Sequence, residues 1–129
     1  MTKSVGVDIE NIYRFKNILS HITFDDYQGV LNSVFTEPEK QYCLKKRFSY
    51  KHFAVRYAGK EAFLKALGIG LHGKVLFSDI EYINDKYGKP YPVCTGEVLT
   101  QLKNKNINQM DVSFSHTLEL AIAVVILGG

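Results

Sequence analysis

Cysteine is scarce in this chain, and the two that occur, Cys43 and Cys94, stand far apart with no CxxC pair and no Cys/His spacing. That pattern excludes the usual structural zinc sites, and two unpaired thiols fit a reducing compartment better than a disulfide framework. Long apolar runs are missing as well. The greasiest segment, LELAIAVVIL at residues 118–127, has about half the length that a membrane-spanning helix needs. The opening MTKSVGVDIE carries one lysine and no apolar stretch that would serve as a signal peptide. A cytoplasmic protein without a membrane segment is expected. Charge of one sign is weak too: 16 Lys+Arg against 13 Asp+Glu leave a formal net charge of +3. Such an excess favours an anionic partner but is too small to argue for nucleic acid. With no repeat, linker or low-complexity stretch, and 46% hydrophobic residues, residues 1–129 are read as a single domain.

What is present is a mixture of two periods. Val5, Val7 and Ile9 alternate with Gly6, Asp8 and Glu10, which predicts a strand with one apolar face and Asp8 on the other. From about Glu10 the period becomes helical: Ile12, Phe15 and Leu19 fall on one side, Glu10, Arg14 and Asn17 on the opposite side. Arg14 is therefore expected to face solvent or a partner. In VFTEPEKQYCLKK, Thr36 is placed to N-cap a second helix, Pro38 lies in its first turn, and Glu37 and Glu39 suit the helix dipole. A third helix is predicted over 51–67, closed by Gly68. Residues 77–83 read as a strand, NDKYGKPYP as a turn and a short extended piece, and residues 97–103 as a short helix. DVSFSHT and LELAIAVVIL give two last strands, the second apolar on both faces and hence central. Without regular βαβ alternation, the expected class is α+β, a largely antiparallel sheet packed with helices.

Two familiar patterns fail on context. GIGLHG at residues 68–73 matches G-x-G-x-x-G, but it follows a helix instead of opening one, so its amides are not set for a dinucleotide. Ser115 and His116 are strand neighbours pointing to opposite faces, and no G-x-S-x-G elbow exists. A third pattern survives. Ala54, Ala58, Glu61 and Lys65, at i, i+4, i+7 and i+11, fall in one narrow sector of the third helix. Small residues admit another backbone closely, and a first strand laid there would bring Asp8 to face Glu61. Two such carboxylates need a shared proton or a cation, and two acidic oxygens completed by substrate phosphate oxygens are the usual way to hold Mg²⁺. Lys65 would add positive charge for a phosphate. The plainer alternative is a Glu61–Lys65 surface pair worth about a few tenths of a kcal/mol.

GVDIENIYRF, VFTEPE, RYAGKEAFLKALGIG, DIEYINDKYGKPY and VSFSHT occur in order, and from residue 5 to about 127 the chain resembles the bacterial holo-acyl-carrier-protein synthases, the small 4′-phosphopantetheinyl transferases. The resemblance implies that fold, and transfer of 4′-phosphopantetheine from coenzyme A to a serine of an acyl carrier protein, with release of adenosine 3′,5′-bisphosphate. It implies that Asp8 and Glu61 bind the catalytic Mg²⁺ and that Lys65, third member of the catalytic set, lies near the coenzyme A phosphates. Arg56, Pro90 and His116 match positions lining the nucleotide end. Arg14 matches a basic position that docks the acidic carrier protein, in agreement with the net charge. A homotrimer with active sites between subunits is implied too, its seam beside the apolar last strand. The proton acceptor, Glu61 or a water, stays open, as does the pathway, fatty-acid or polyketide and peptide. Three positions depart from the family pattern: Asp111, where a histidine is common, is expected to weaken or reshape nucleotide contacts, while Gly59 and Ile69 are expected to be tolerated. Competing readings are a carrier-docking module without chemistry and a single-strand RNA binder, the latter disfavoured because the aromatics fall on core-facing periods.

Overall fold

The structure, a computed structural model, describes residues 3–21, 29, 31–70 and 73–129; Leu71 and His72 of the glycine-rich stretch and the side chain of Leu19 lie outside the described residues. In chain order the elements are β1 (Ser4–Asn11), α1 (Ile12–His21), α2 (Glu37–Leu44), α3 (Ser49–Leu67), a 3₁₀ turn (Phe77–Asp79), β2 (Ile80–Asn84), β3 (Pro90–Cys94), α4 (Gly96–Asn104), β4 (Gln109–His116) and β5 (Leu120–Gly128). All strand pairs are antiparallel, so the expected α+β class holds, with two sheets in place of one: β1-β5-β4 and the hairpin β2-β3. The doubly apolar last strand is indeed central. Phe77 to Asp79, read as the start of a strand, forms the 3₁₀ turn instead, because Leu76 N–H bonds the Asp79 carboxylate and Asp79 N–H bonds the Leu76 carbonyl.

The register places Val5, Val7 and Ile9 beside Ile126, Val124 and Ile122 on one face of the large sheet. That face points outward: Val5, Val7 and Ile9 are 66%, 55% and 55% exposed. The inward face of β1 is the polar one, Gly6, Asp8 and Glu10, laid against α3. The reason is steric. A Cβ at Gly6 would overlap the Ala62 carbonyl oxygen and meet the Ala66 nitrogen at 2.6 Å, so only glycine lets the strand lie this near the helix. The small-residue groove on α3 therefore exists, but β1 uses Ala62 and Ala66, whereas Ala54 packs with Ala121 and Ala58 shares a core with Ala123.

Three local devices fix α3. Its C-terminus closes at Gly68 (φ 78°), whose N–H bonds the Lys65 carbonyl, while Ile69 packs on the main core. Its middle carries a fully buried ion pair, Lys60 Nζ to Glu39 Oε1 at 2.6 Å. Lys60 also donates to the Val34 and Phe77 carbonyls, and Glu39 accepts from the backbone N–H groups of Thr36 and Tyr82, each at 3.0 Å. Burial pushes the Lys60 ammonium down and Glu39 opposes it. Beside it, Gly59 leaves room for the Tyr82 and Phe114 rings, stacked edge to face at 4.9 Å, and its carbonyl accepts the Tyr82 hydroxyl at 2.7 Å. A methyl at Gly59 would sit 2.6 Å from Phe114 and 2.8 Å from Tyr82. Glycine at position 59 is thus coupled to two large rings.

Candidate active site

Alternation along β1 puts Asp8 and Glu10 on the same inward face, and α3 presents Glu61 and Lys65, one turn apart, toward that face. Glu10, which the sequence reading counted both in the strand alternation and on the polar side of the first helix, belongs to the strand. The helix starts two residues later, with the Asn11 side chain accepting the Arg14 backbone N–H at 2.9 Å as an N-cap does. The Glu10 carboxyl is pushed up to about 7 by burial, by a hydrogen bond with Asp8, and by the charges of Asp8 and Glu61, against a small opposing pull from Arg14. One residue thus feels both acids of the expected pair.

Lys65 does not pair with Glu61. It crosses to β1, donating to Asp8 Oδ1 at 2.9 Å and to the Val7 carbonyl at 3.1 Å, and Asp8 holds its ammonium above the usual lysine range. Glu61 instead accepts a hydrogen bond from the Tyr57 hydroxyl at 3.1 Å. Asp8 Oδ2 is buried and has no hydrogen-bond partner. Lys65 occupies the other Asp8 oxygen, so a single ammonium serves three clustered acids, and carboxylate oxygens are the hard donors that Mg²⁺ selects. Among the described residues no cage of three His, Cys, Asp or Glu side chains is preassembled for a metal. The donors fit the other mode, in which one or two carboxylates hold Mg²⁺ and substrate oxygens complete the shell.

A cleft of about 380 Å³ opens on the other flank of α3, lined by Lys51, His52, Arg56, Asn84, Phe114 and His116 among others. At 100° per residue, His52 and Arg56 lie roughly opposite Tyr57 and Glu61 around the helix. Arg56 is 3% exposed, its guanidinium 4.2 Å above the Tyr42 ring and donating to the His52 carbonyl and to Asn84 Oδ1, with its Nε unpartnered. Burial, then the charges of Arg56 and Lys46, push the His52 imidazole down. Pro90 opens β3 opposite Asn84 and does not line the cleft itself. His116 lies at the end of β4, in one row of the sheet with Ala121 and Glu10.

Within one chain, then, Arg56 and His116 share a cleft, Asp8, Glu61 and Lys65 share an acid cluster, and the cleft lining includes none of the latter three. Arg14 is exposed on α1, apart from the cleft. Asp111 faces outward beside Ile126 and Lys89 and does not line the cleft. The residues that sequence reasoning missed are Glu10 and Tyr57. An unbroken strand alternation through Glu10, and the i, i+4 spacing of Tyr57 to Glu61, were the signals for them.

Known proteins repeat this arrangement of elements. A sequence model of the 4′-phosphopantetheinyl transferase superfamily matches residues 4–124. The holo-[acyl-carrier-protein] synthase of Geotalea daltonii is 39% identical over 127 residues, 98% of each chain. Among solved structures, holo-[acyl-carrier-protein] synthase from Neisseria meningitidis superposes with a TM-score of 0.86 at 25% identity over 98% of each chain. The Helicobacter pylori synthase in complex with coenzyme A does so with a TM-score of 0.81 at 27% identity, over 96% of this chain and 99% of that one. Sequence and fold agree: the chain belongs to the 4′-phosphopantetheinyl transferase superfamily.

Proposed function

We infer that this chain is a holo-acyl-carrier-protein synthase, which transfers 4′-phosphopantetheine from coenzyme A to a serine hydroxyl of apo acyl carrier protein and leaves adenosine 3′,5′-bisphosphate. The observation that carries the chemistry is the orphaned Asp8 oxygen, in a cluster whose crowding raises Glu10 to about 7. Asp8 and Glu61 would hold Mg²⁺, with Glu10 beside them. A bound magnesium ion there supplies positive charge to the diphosphate of coenzyme A. Lys65, with a side chain 54% exposed, would neutralise charge on the departing phosphate. The serine proton goes to Glu61 or to a neighbouring water.

Arg56 and His116, with Pro90 beside the hairpin turn, form the nucleotide end, and exposed Arg14 offers a positive charge to the acidic carrier. The reading extends to one domain over residues 1–129, a cytoplasmic setting and a carrier of either fatty-acid or polyketide and peptide synthesis. No helix among the described residues is long and apolar enough to cross a membrane. A homotrimer with active sites between subunits agrees with two features: the exposed Val5, Val7 and Ile9 face and the placement of cleft and acids on opposite flanks of α3.

Incubation with apo carrier protein, coenzyme A and Mg²⁺ should add a phosphopantetheine to the carrier, read as intact mass. Asp8→Ala and Glu61→Ala should abolish the addition while keeping the wild-type far-ultraviolet circular dichroism. Wild-type turnover in either variant would remove the acid pair from the mechanism. A carrier that binds without gaining mass would favour the docking module.

A further inference from the structure

Tyr57 stands one turn before Glu61 on α3, and its hydroxyl donates to Glu61 Oε1 at 3.1 Å, the one hydrogen bond that this carboxylate receives among the described residues. The phenol ring is held from two elements. Its centroid lies 5.7 Å from Phe15 of α1 and 5.4 Å from Phe77 of the 3₁₀ turn, tilted by 51° and 48°. A tyrosine has two side-chain torsions, so a ring packed this way leaves its hydroxyl little freedom. Glutamate has three torsions, and Glu61 lies near two carboxylates of like charge that would drive it outward. A phenol keeps its proton at neutral pH and so remains a donor. Lys65 gives Glu61 no substitute, being engaged by Asp8 and the Val7 carbonyl.

We propose that Tyr57 is a positioning residue of the acid cluster: by clamping one oxygen of Glu61 it holds that carboxylate toward Asp8 and Glu10 and pre-organises the pair for a divalent cation. The proposal rests on the reading of Asp8 and Glu61 as the metal pair. It places the specificity of the arrangement in the packing of three aromatic rings, since the hydroxyl is only as rigid as the ring that bears it. Hydrogen bonds made to a metal ligand by its neighbours alter metal affinity by about 10- to 100-fold, and one neutral donor at a half-buried site belongs to the lower end.

Tyr57→Phe keeps the ring and removes the donor. Titration calorimetry of the metal-free protein, saturated with coenzyme A, with Mg²⁺ should show affinity about tenfold weaker than wild type. The Mg²⁺ half-saturation of transfer should rise by the same factor while KM for the carrier protein stays put. The thermal midpoint without divalent cations should not fall by more than a few degrees. Phe15→Leu, which loosens the ring and leaves the hydroxyl in place, should weaken Mg²⁺ binding in the same direction and by less. Wild-type Mg²⁺ affinity in folded Tyr57→Phe would overturn the role of Tyr57 and leave the metal pair standing. A wild-type protein that binds no divalent cation even with coenzyme A present would overturn the metal pair itself, and Tyr57's role with it.

Discussion

Glu10 joins a mid-strand position to a proton equilibrium. Its carboxyl titrates near 7 in the folded chain against 4.5 as the ordinary value, so between those pH values the folded state holds the extra proton. A group raised in this way contributes stability that is present below its unfolded pKa and is lost as pH rises through the folded one. In metal-free protein the thermal midpoint should therefore fall between pH 5 and pH 8, and Glu10→Gln should remove most of that fall. Half-exposure and solvent screening keep the effect to about 1–2 kcal/mol. A midpoint rising with pH in wild type, or an unchanged slope in Glu10→Gln, would contradict the crowding of three carboxylates. Gly59 is the second residue with a private geometry. Gly59→Ala gains about 1 kcal/mol of helix propensity and drives a methyl into Phe114 and Tyr82, an overpacking that costs about 1–3 kcal/mol. Urea denaturation should show net destabilisation, and Phe114→Leu in the same chain should recover part of it.

At the scale of elements, the Lys60–Glu39 pair ties α3 to the start of α2, and Glu39 carries the tie on to β2 through the Tyr82 N–H. Lys60→Met leaves a buried carboxylate without its cation and should destabilise the chain by about 3–5 kcal/mol in denaturant titration. Glu39 has further work, since it accepts two backbone N–H groups that no aliphatic side chain would satisfy. Double replacement by apolar residues should therefore recover only part of the loss. A Lys60→Met chain as stable as wild type at neutral pH would mean that water reaches this pair.

For the whole molecule, the arrangement of two half-sites on opposite flanks of α3 has a consequence for mixtures. Glu61→Ala lacks the acid cluster and Arg56→Ala lacks the cleft, and each should be inactive alone. If a substrate spans the acids of one copy and the cleft of another, co-refolded oligomers of the two variants contain some sites with both halves intact. Transfer should then reappear to a fraction of wild type, measured by intact mass of the carrier. Mixtures as inactive as their components would place both halves of the site within one chain. Val7→Lys, on the exposed apolar face of β1, should in parallel lower the mass found by size-exclusion chromatography with light scattering.

Much of this was legible in the amino-acid order. The caps at Thr36 and Gly68, the doubly apolar central strand and the α+β class follow from local propensity and periodicity, which act over a few residues and are written along the chain. That Asp8 and Glu61 fall in one cluster could be anticipated from helix geometry once a strand was allowed into the groove. What only the tertiary structure decided was which side of β1 faces in. Alternation shows two faces and does not say which is buried, and here the glycine needed for close approach to Ala62 turned the acids inward and left three aliphatic side chains outside. The same packing chose β1 over Glu61 as the partner of Lys65, buried Lys60 against Glu39, and sent Arg56 to the far flank of the helix. Each is a contact between residues distant in sequence, and such contacts are settled by the way the backbone closes in space.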